Sequence, residues 1–401
     1  MDIAIRIGAA ILVAFLISLI AMPFVKKFAH RVGAIDVPKD ARRVHKHPIP
    51  RLGGLAIFVG FLLGVVLFAE INRQIQGILL GAVVIVTLGV VDDIKPLPAL
   101  FKFFIQILAA LVAVYHGVVI EFLSNPILWN PNPYIYFGVF SAPITVFWIV
   151  AITNSVNLID GLDGLAAGVS IISSIVMLII ALLVAEPNVA IIMAALAGAC
   201  LGFLPYNFNP AKIFMGDTGA LLLGYVLATV SILGLFKFHA VVSFAVPFLA
   251  LALPLFDTSL AFFRRLLKGQ NPMAPDRGHF HHRLLDMGLS QKQAVVILYI
   301  ISALLGLCAV VITTNGEIRA IIFIAAVLVA AGIVYFVYRR GKRASAGETP
   351  EEHAEESIDA AETPADAAEI PVSEAEISEK EMAVAQTKPT ADVSASEKDS
   401  D

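Results

Sequence analysis

The stretch Asn154-Ser155-Val156-Asn157-Leu158-Ile159-Asp160-Gly161-Leu162-Asp163-Gly164 decides how this chain is interpreted, because it lies between two long apolar runs. Two amides, two carboxylates and two glycines stand within eleven residues, beside sequence that is compatible with lipid. Polar groups next to a membrane are costly and usually functional. The fold should therefore be one that places this stretch at a membrane face.

The composition excludes an ordinary soluble protein, since 58% of the 401 residues are hydrophobic and 15% are charged. A spanning helix needs about 20 apolar residues. Eleven runs are candidate spans, of which the third is short: 4–25, 52–70, 76–91, 100–120, 140–158, 165–185, 188–204, 218–236, 240–263, 294–314 and 318–338. The sequence therefore predicts an all-α polytopic membrane protein with about 11 transmembrane helices.

The basic residues predict the orientation, because Lys and Arg concentrate in cytoplasmic loops. Segments after the odd-numbered spans hold 21 basic residues, whereas alternate loops hold 3, namely Arg73, Lys237 and Arg319. This places the N-terminus outside and the C-terminus in the cytoplasm. All the dense polar clusters then fall on the cytoplasmic side.

The charges also divide the chain into two parts. Residues 1–343 carry 25 Lys and Arg against 15 Asp and Glu, whereas residues 344–401 carry 3 Lys against 17 acids. The second part has almost no large apolar residues, so it cannot bury a core. We therefore expect a transmembrane domain over 1–343, with its active site at the cytoplasmic face, and an acidic disordered cytoplasmic tail over 344–401.

The opening stretch offers groups for a nucleotide or a metal. If it is helical, Asn154 and Asn157 share one face, and so do Asp160 and Asp163. Amides can bind a base or a sugar, and carboxylates can bind a metal or a ribose. Simple capping of a helix needs one such residue rather than four.

Two further acidic clusters suit a divalent cation. Asp92 and Asp93 end the third span, where a helix C-terminus disfavours negative charge, so something should compensate for them. Adjacent carboxylates can bind a cation or supply a base. Asp217, in Phe214-Met215-Gly216-Asp217-Thr218-Gly219, stands where an N-cap would, and it also suits a hard-cation ligand beside backbone N–H groups.

Two basic clusters suit phosphate. The segment 276–283 holds three histidines and two arginines, which fit phosphate better than zinc. The segment 45–54 contains Lys46 and Arg51 and ends in paired glycines that allow close backbone approach. An ordinary positive-inside anchor is the alternative for that loop. Asp257, inside an apolar run, is either a member of the site or a helix-packing residue.

These motifs resemble those of the polyprenyl-phosphate N-acetylhexosamine-1-phosphate transferases, the superfamily that contains MraY, WecA and TagO. The matches are Pro-Arg-Leu-Gly-Gly (50–54), Val-Asp-Asp (91–93), the Asn-x-x-Asn-Leu-Ile-Asp-Gly-Leu-Asp-Gly-Leu run (154–165), Phe-Met-Gly-Asp-Thr-Gly (214–219) and His-Phe-His-His-Arg-Leu (279–284). All five motifs occur in the order found in the family and on one predicted side of the membrane, which strongly supports the resemblance. The His-x-His-His spacing resembles the WecA and TagO branch more than MraY. Ala220 departs from the family, which commonly has Ser there, so that hydroxyl is either dispensable here or replaced by the hydroxyl of Thr218.

The resemblance implies transfer of N-acetylglucosamine 1-phosphate from UDP-N-acetylglucosamine to undecaprenyl phosphate, with release of UMP. Mg²⁺, or Mn²⁺ as an alternative, would bridge the diphosphate. Metal ligands would be Asp217 and Asp93, and Asp92 would be the base. Residues expected to be catalytic are Asp92, Asp93, Asp160, Asp163 and His279, and those expected to bind substrate are Lys46, Arg51, Asn154, Asn157, Asp160, His281, His282 and Arg283. Direct attack by the lipid phosphate and a route through an acyl-phosphate both stay open.

The resemblance also implies a setting and leaves two alternatives. The expected location is the bacterial cytoplasmic (inner) membrane, at the initiating step of a cell-envelope polysaccharide. The expected partners are the two substrates and the lipid bilayer, with a homodimer as a candidate assembly and no nucleic acid. The first alternative is the phospho-N-acetylmuramoyl-pentapeptide transferase of peptidoglycan synthesis. The second is a secondary transporter, whose polar sites tend to lie near the membrane midplane.

Overall fold

The computed structural model describes residues 2–38, 47–124, 132, 134–234, 247–267, 269, 280–314 and 332. Over these residues the chain is a bundle of helices. They are α1 (Ile3–Val32), α2 (Gly53–Phe68), α3 (Arg73–Ile94), α4 (Ala99–Tyr115), α5 (Ser141–Ile159), α6 (Leu165–Leu183), α7 (Pro187–Asn207), α8 (Gly216–Gly234), α9 (Ala252–Leu267), α10 (Phe280–Asp286) and α11 (Gln291–Thr313), with a 3-10 turn at Gly138–Phe140. Two antiparallel pairs of very short strands accompany them, β1 (Ile35–Asp36) with β2 (Ile49–Pro50) and β3 (Phe122–Ser124) with β4 (Tyr134–Tyr136).

The helices confirm a multi-pass, predominantly helical membrane protein. In the described part of the chain, seven helices are long and apolar enough to cross a membrane, and α2 and α4 are shorter apolar helices. Together they coincide with nine of the eleven predicted spans. Helix α9 covers the end of the span predicted at 240–263, and nearly all of 318–338 lies outside the described residues. The total of eleven spans and the orientation of the termini stay predictions.

The first helix is longer than its apolar run. Helix α1 continues past residue 25 to Val32 and ends at Gly33, which has a φ of 76°. Glycine adopts this left-handed conformation without the steric cost that a side chain brings. The basic residues Lys26, Lys27 and Arg31 therefore lie on the last turns of α1, rather than in the loop that the sequence predicted.

Helix α8 is the centre of the bundle, and this burial fixes the position of Asp217 at its first turn. Every side chain from Thr218 to Leu233 is buried, and α8 packs against α3 and α5. In contrast, α1 presents large exposed apolar side chains such as Ile20 and Phe24. Exposed apolar surface of this kind is what a lipid environment accommodates.

Candidate functional site

A cavity of about 300 Å³ opens at one end of the bundle. Its walls come from the C-terminal ends of α3, α5 and α7 and from the connections that follow α1, α5 and α7. The start of α8, helix α10 and the start of α11 complete them. The lining residues are Asp36, Arg51, Asp93, Asn157, Asp160, Gly161, Leu162, Asp163, Asn207, Phe214, Gly216, Asp217, His282 and Gln291. The structure therefore brings together residues from every motif cluster that the sequence singled out.

Backbone hydrogen bonds join the Pro-Arg-Leu-Gly-Gly motif directly to the Phe-Met-Gly-Asp-Thr-Gly motif. Phe214 N donates to Pro50 O at 2.8 Å, Gly53 N donates to Phe214 O at 2.9 Å, and Gly54 N donates to Met215 O at 2.9 Å. A Cβ on Gly54 would collide with the backbone of Gly219. The predicted close backbone approach at the paired glycines is confirmed, and the neighbour that requires it is the start of α8.

Asp93 caps helix α8 from a different helix. Its Oδ1 accepts a hydrogen bond from Asp217 N at 3.0 Å, and its Oδ2 accepts from Thr218 N at 3.0 Å and from Thr218 Oγ1 at 2.6 Å. Gly216, with a φ of 72°, leaves the space that this carboxylate fills. Asp217 is therefore not the cap of its own helix, and its side chain is free for other partners.

Lys102 connects the remaining two carboxylates. Its Nζ lies 3.1 Å from Asp92 Oδ2 and 3.0 Å from Asp217 Oδ2. The other oxygen of Asp92, Oδ1, accepts from Leu97 N at 2.8 Å. This answers the question of what compensates for two acids at the end of α3: the ammonium group compensates for Asp92, and the N-terminus of α8 compensates for Asp93.

Sequence reasoning missed Lys102 as a site residue, although it counted the charge for the orientation. A signal was present, because Lys102 is the one charged residue of the largely apolar helix α4 and follows Asp92 by ten residues. A charged residue in an apolar membrane helix usually pairs with another charged or polar group.

The stretch 160–164 is a fixed turn rather than a continuation of the helix. Helix α5 ends at Ile159, so the helical spacing predicted for Asp160 and Asp163 is wrong. Gly164 N donates to Asn207 Oδ1 at 3.0 Å, and Tyr299 Oη donates to Gly164 O at 2.5 Å. The turn is thus held by α7 on one side and by α11 on the other.

Asp163 is used to hold this turn against the next connection. Its Oδ2 accepts from Asn209 Nδ2 and from Ala211 N, each at 3.0 Å. Asn209 Nδ2 also donates to Gln291 Oε1 at 2.6 Å. These contacts give Asp163 a positioning role at this turn, and the catalytic role expected for it stays a prediction.

Asp160 has the electrostatic environment of a strongly acidic cavity. Burial, together with the neighbouring carboxylates of Asp217, Asp93 and Asp163, raises the pKa of its carboxyl to about 7, and Arg51 opposes this shift. Like charges disfavour the ionised form of a carboxyl group. A cation or a basic group is therefore favoured at this wall of the cavity.

The two asparagines of the opening stretch are used differently. Asn157 lines the cavity, whereas the amide of Asn154 donates to Gln106 Oε1 at 2.6 Å and to Val150 O at 2.8 Å. Asn154 thus joins α5 to α4, and it is not among the residues that line the cavity. Its predicted substrate contact has no support in this geometry, and its partner Gln106 was not foreseen.

The basic candidates are divided in the same way. Arg51 lines the cavity, and its Nη2 lies 3.1 Å from Asp36 Oδ1 on β1. His282 also lines the cavity, whereas Arg283 is exposed. Lys46, His279 and the side chain of His281 lie outside the described residues. Asp257 is buried on α9 and does not line the cavity.

Comparison with known proteins assigns the chain to a family. A protein of Bacillus subtilis (strain 168), named probable undecaprenyl-phosphate N-acetylglucosaminyl 1-phosphate transferase, is 42% identical over 311 residues, which are 77% of this chain and 85% of the relative. The chain belongs to the undecaprenyl-phosphate N-acetylglucosaminyl 1-phosphate transferase family. Residues 75–235 also match the family model described as glycosyl transferase family 4. They include Asp92, Asp93, Lys102, Asp160 and Asp217.

More distant relatives of this transferase family carry related names. The decaprenyl-phosphate N-acetylglucosaminephosphotransferase of Mycolicibacterium smegmatis (strain ATCC 700084 / mc(2)155) is 34% identical over 360 residues, 82% of this chain and 88% of that protein. The undecaprenyl-phosphate alpha-N-acetylglucosaminyl 1-phosphate transferase of Escherichia coli (strain K12) is 29% identical over 297 residues, 73% of this chain and 80% of that protein. The names agree on the transferred group and differ in the length of the prenyl chain.

Proposed function

We propose that this protein transfers N-acetylglucosamine 1-phosphate from UDP-N-acetylglucosamine to undecaprenyl phosphate and releases UMP. The observation that carries the proposal is that the ammonium group of Lys102 contacts both Asp92 and Asp217 beside a polar cavity. The names of the relatives support undecaprenyl phosphate as the acceptor and N-acetylglucosamine 1-phosphate as the transferred group. The setting we propose is the cytoplasmic membrane of a bacterium, at the first step of a cell-envelope polysaccharide.

The proposed reaction is a phosphoryl transfer. An oxygen of the lipid phosphate attacks the β-phosphorus of the sugar nucleotide, and the bond between that phosphorus and the oxygen bridging to the α-phosphorus breaks. UMP leaves with the bridging oxygen, and the product is a lipid diphosphate that carries the sugar. A proton on the attacking phosphate, where present, passes to Asp92, whose Oδ1 is held in place by Leu97 N.

The residues present fit Mg²⁺, with Mn²⁺ as an alternative. Protein sites for Mg²⁺ use one or two carboxylates, with waters and substrate phosphates completing the shell. In the described part of the chain no three His, Cys, Asp or Glu side chains form a ready-made metal cluster, which agrees with a site that the substrate completes. Asp217 would hold the ion, and Asp93 adjoins it. When bound, the ion neutralises charge on the diphosphate in the transition state.

The other cavity residues fit a nucleotide. Asn157 offers an amide to the base or the ribose, and Arg51 offers a guanidinium group whose fork matches phosphate. Asp36 holds that guanidinium at 3.1 Å, so the arginine is oriented before a ligand arrives. His282 stands on the opposite segment as a second cationic candidate.

The lipid substrate would reach the carboxylates from the side of α4. Leu100, Phe101 and Phe104 flank Lys102 in the sequence and are 84%, 49% and 64% exposed. Apolar side chains exposed on a membrane helix contact lipid at little cost. The Asp92 side of the site therefore borders a surface suited to a prenyl chain, and the cavity with Asn157 and Asp160 borders the aqueous phase.

The test is a reconstituted assay with sugar-labelled UDP-N-acetylglucosamine, undecaprenyl phosphate and Mg²⁺. We expect label in the lipid fraction, UMP in the aqueous fraction, and no product when EDTA removes the metal. An excess of unlabelled UDP-N-acetylmuramoyl-pentapeptide should not compete. Absence of labelled lipid with Mg²⁺ present would reject the proposal, and effective competition would favour the peptidoglycan enzyme.

A further inference from the structure

The ammonium group of Lys102 occupies a position between two carboxylates of the site. It lies 3.1 Å from Asp92 Oδ2 and 3.0 Å from Asp217 Oδ2. The side chains of Lys102, Asp92 and Asp217 are 26%, 10% and 24% exposed, so the group is only partly screened by water. Charges held this close in a partly buried setting interact strongly.

Two features show that this ammonium neutralises an acidic centre. Asp93, Asp160 and Asp217 line one cavity, and the guanidinium of Arg51, which lines the same cavity, already lies beside Asp36. Lys102 is the cation that the structure places on Asp92 and Asp217 together. Among the described residues, Lys102 is the cation in contact with both of these carboxylates, and its loss would leave their two negative charges close together.

We propose that Lys102 is the resident cation of the metal-free site and competes with the divalent cation for Asp217. This inference rests on the proposed function, because it takes Asp217 as the metal ligand. The ammonium group and a divalent cation are both positive, so they repel each other when they are held a few ångströms apart on one carboxylate. Lys102 therefore leaves Asp217 when the metal binds, and it stays with Asp92.

The local geometry permits this exchange without moving Asp92. Leu97 N donates to Asp92 Oδ1 at 2.8 Å, so the backbone fixes that carboxylate independently of Lys102. Lysine carries a compact charge on a flexible four-carbon stem, whereas arginine presents a rigid fork that can bind two carboxylates at once. A lysine is therefore suited to release one partner and keep the other.

A permanent structural ion pair is the competing explanation, and it predicts the opposite effect on metal binding. If Lys102 only holds the two carboxylates in position, its loss should misplace Asp217 and weaken the binding of a metal ion. If Lys102 competes with the metal, its loss should strengthen that binding. The sign of the change distinguishes the two roles.

The experiment measures binding of Mn²⁺ alone to the full-length protein, by the electron paramagnetic resonance signal of the free ion. In Lys102→Met we expect the Kd for Mn²⁺ to fall at least about fivefold, the lower limit that water screening sets for one unit charge a few ångströms away. The melting temperature in EDTA should fall in the same variant, and Mn²⁺ should restore it. Lys95→Met removes an exposed cation from the adjacent connection and should leave the Kd unchanged.

Lys102→Arg keeps the positive charge, so it provides a second test if the Lys102→Met protein does not fold. Its fork should hold both carboxylates more firmly, so the Kd for Mn²⁺ should rise. A folded Lys102→Met protein with an unchanged or higher Kd overturns the inference, and so does a Lys102→Arg protein with a lower Kd. Absence of Mn²⁺ binding in both wild type and Lys102→Met overturns it as well. The transferase reaction is tested separately, by the formation of lipid-linked product in the reconstituted assay.

Discussion

The carboxylate of Asp217 is available to other partners because another residue supplies the cap of its helix. Asp93 accepts from the N–H groups of Asp217 and Thr218, and it also accepts from the Thr218 hydroxyl. Ala220 follows at a fully packed position, 1% exposed. Thr218, the candidate replacement for the Ser that the family commonly has at position 220, contacts Asp93 through its hydroxyl group. Asp217 is left to face Lys102 and the cavity.

Asp217→Asn should abolish turnover and preserve the fold. Loss of a metal ligand removes several kcal/mol of transition-state stabilisation, and each 1.36 kcal/mol is about tenfold, so we expect a loss of roughly 100-fold or more in kcat. Rates are measured on detergent-purified protein with a matched elution profile. Glu70→Gln, at an exposed carboxylate that contacts Arg6, is the control and should retain activity. A folded, active Asp217→Asn protein would reject the metal role.

Asp160 should make the metal-free protein less stable as the pH rises. The unfolded side chain loses its proton near pH 3.9, whereas the folded one keeps it until about pH 7. Between these values the folded state binds more protons, so the free energy of unfolding falls with increasing pH, and the full penalty is present above pH 7. Asparagine mimics the protonated carboxyl group and does not ionise.

Asp160→Asn should therefore melt on the order of a few degrees higher than wild type at pH 8 in EDTA, and the difference should be smaller at pH 5. Thermal unfolding at both pH values checks this, with the exposed Asp286→Asn as control. A lower melting temperature at pH 8 would show that the Asp160 carboxylate stabilises the fold.

At the residue scale the sequence was informative about residue types and less so about partners. Asp93, Asp160 and Asp217 were all singled out, and the structure brings them to one cavity. Lys102 and Asn207 were missed, because their importance comes from contacts over 115 and 43 positions of the chain. The charge of Lys102 on an apolar helix indicated that it has a partner, but no local pattern identifies Asp217 or Gly164 as the residue contacted.

The elements that carry the motifs are joined by backbone contacts rather than by side chains alone. The turn into α2 and the start of α8 exchange three hydrogen bonds, and the α2 backbone at Gly54 lies against α8 at Gly219. The sequence could predict that Gly54 permits a close approach, since paired glycines do so. It could not name the neighbour, which lies about 160 positions away.

Gly54→Ala should separate α2 from α8 and disturb the site. The added Cβ would meet the backbone of Gly219, which cannot move as a flexible side chain can. Overpacking typically costs about 1–3 kcal/mol, so a clear fall in melting temperature is expected. Gly8→Ala, on an exposed part of α1 with nothing within 4 Å of the new Cβ, should have little effect or stabilise the helix. An unchanged melting temperature in Gly54→Ala would contradict this packing.

The whole molecule brings three connections and several helix ends to one end of the bundle. Residues that follow α1, α5 and α7 line a single cavity, together with the C-terminal end of α3, the start of α8 and helix α10. The alternation of basic residues along the sequence anticipated this common side. The length and composition of the helices could be predicted because apolar runs are local, whereas the central position of α8 depends on packing that composition does not specify.

The cavity end should face the cytoplasm. In a background with Cys200→Ala and Cys308→Ala, we expect a membrane-impermeant maleimide to label Glu70→Cys in intact cells and Lys212→Cys only after permeabilisation. Both positions are exposed, and they belong to opposite classes in the distribution of basic loops. The reverse labelling pattern would invert the orientation and deny a cytoplasmic nucleotide access to the site.

The most direct measurement of the central claim follows the β-phosphate of UDP-N-acetylglucosamine. The nucleotide is labelled with ³²P at that phosphate and incubated with the protein, undecaprenyl phosphate and Mg²⁺. Transfer of the sugar phosphate predicts ³²P in the lipid product and unlabelled UMP, in equal amounts. Recovery of the label in released UDP would show transfer of the sugar alone and would contradict the account.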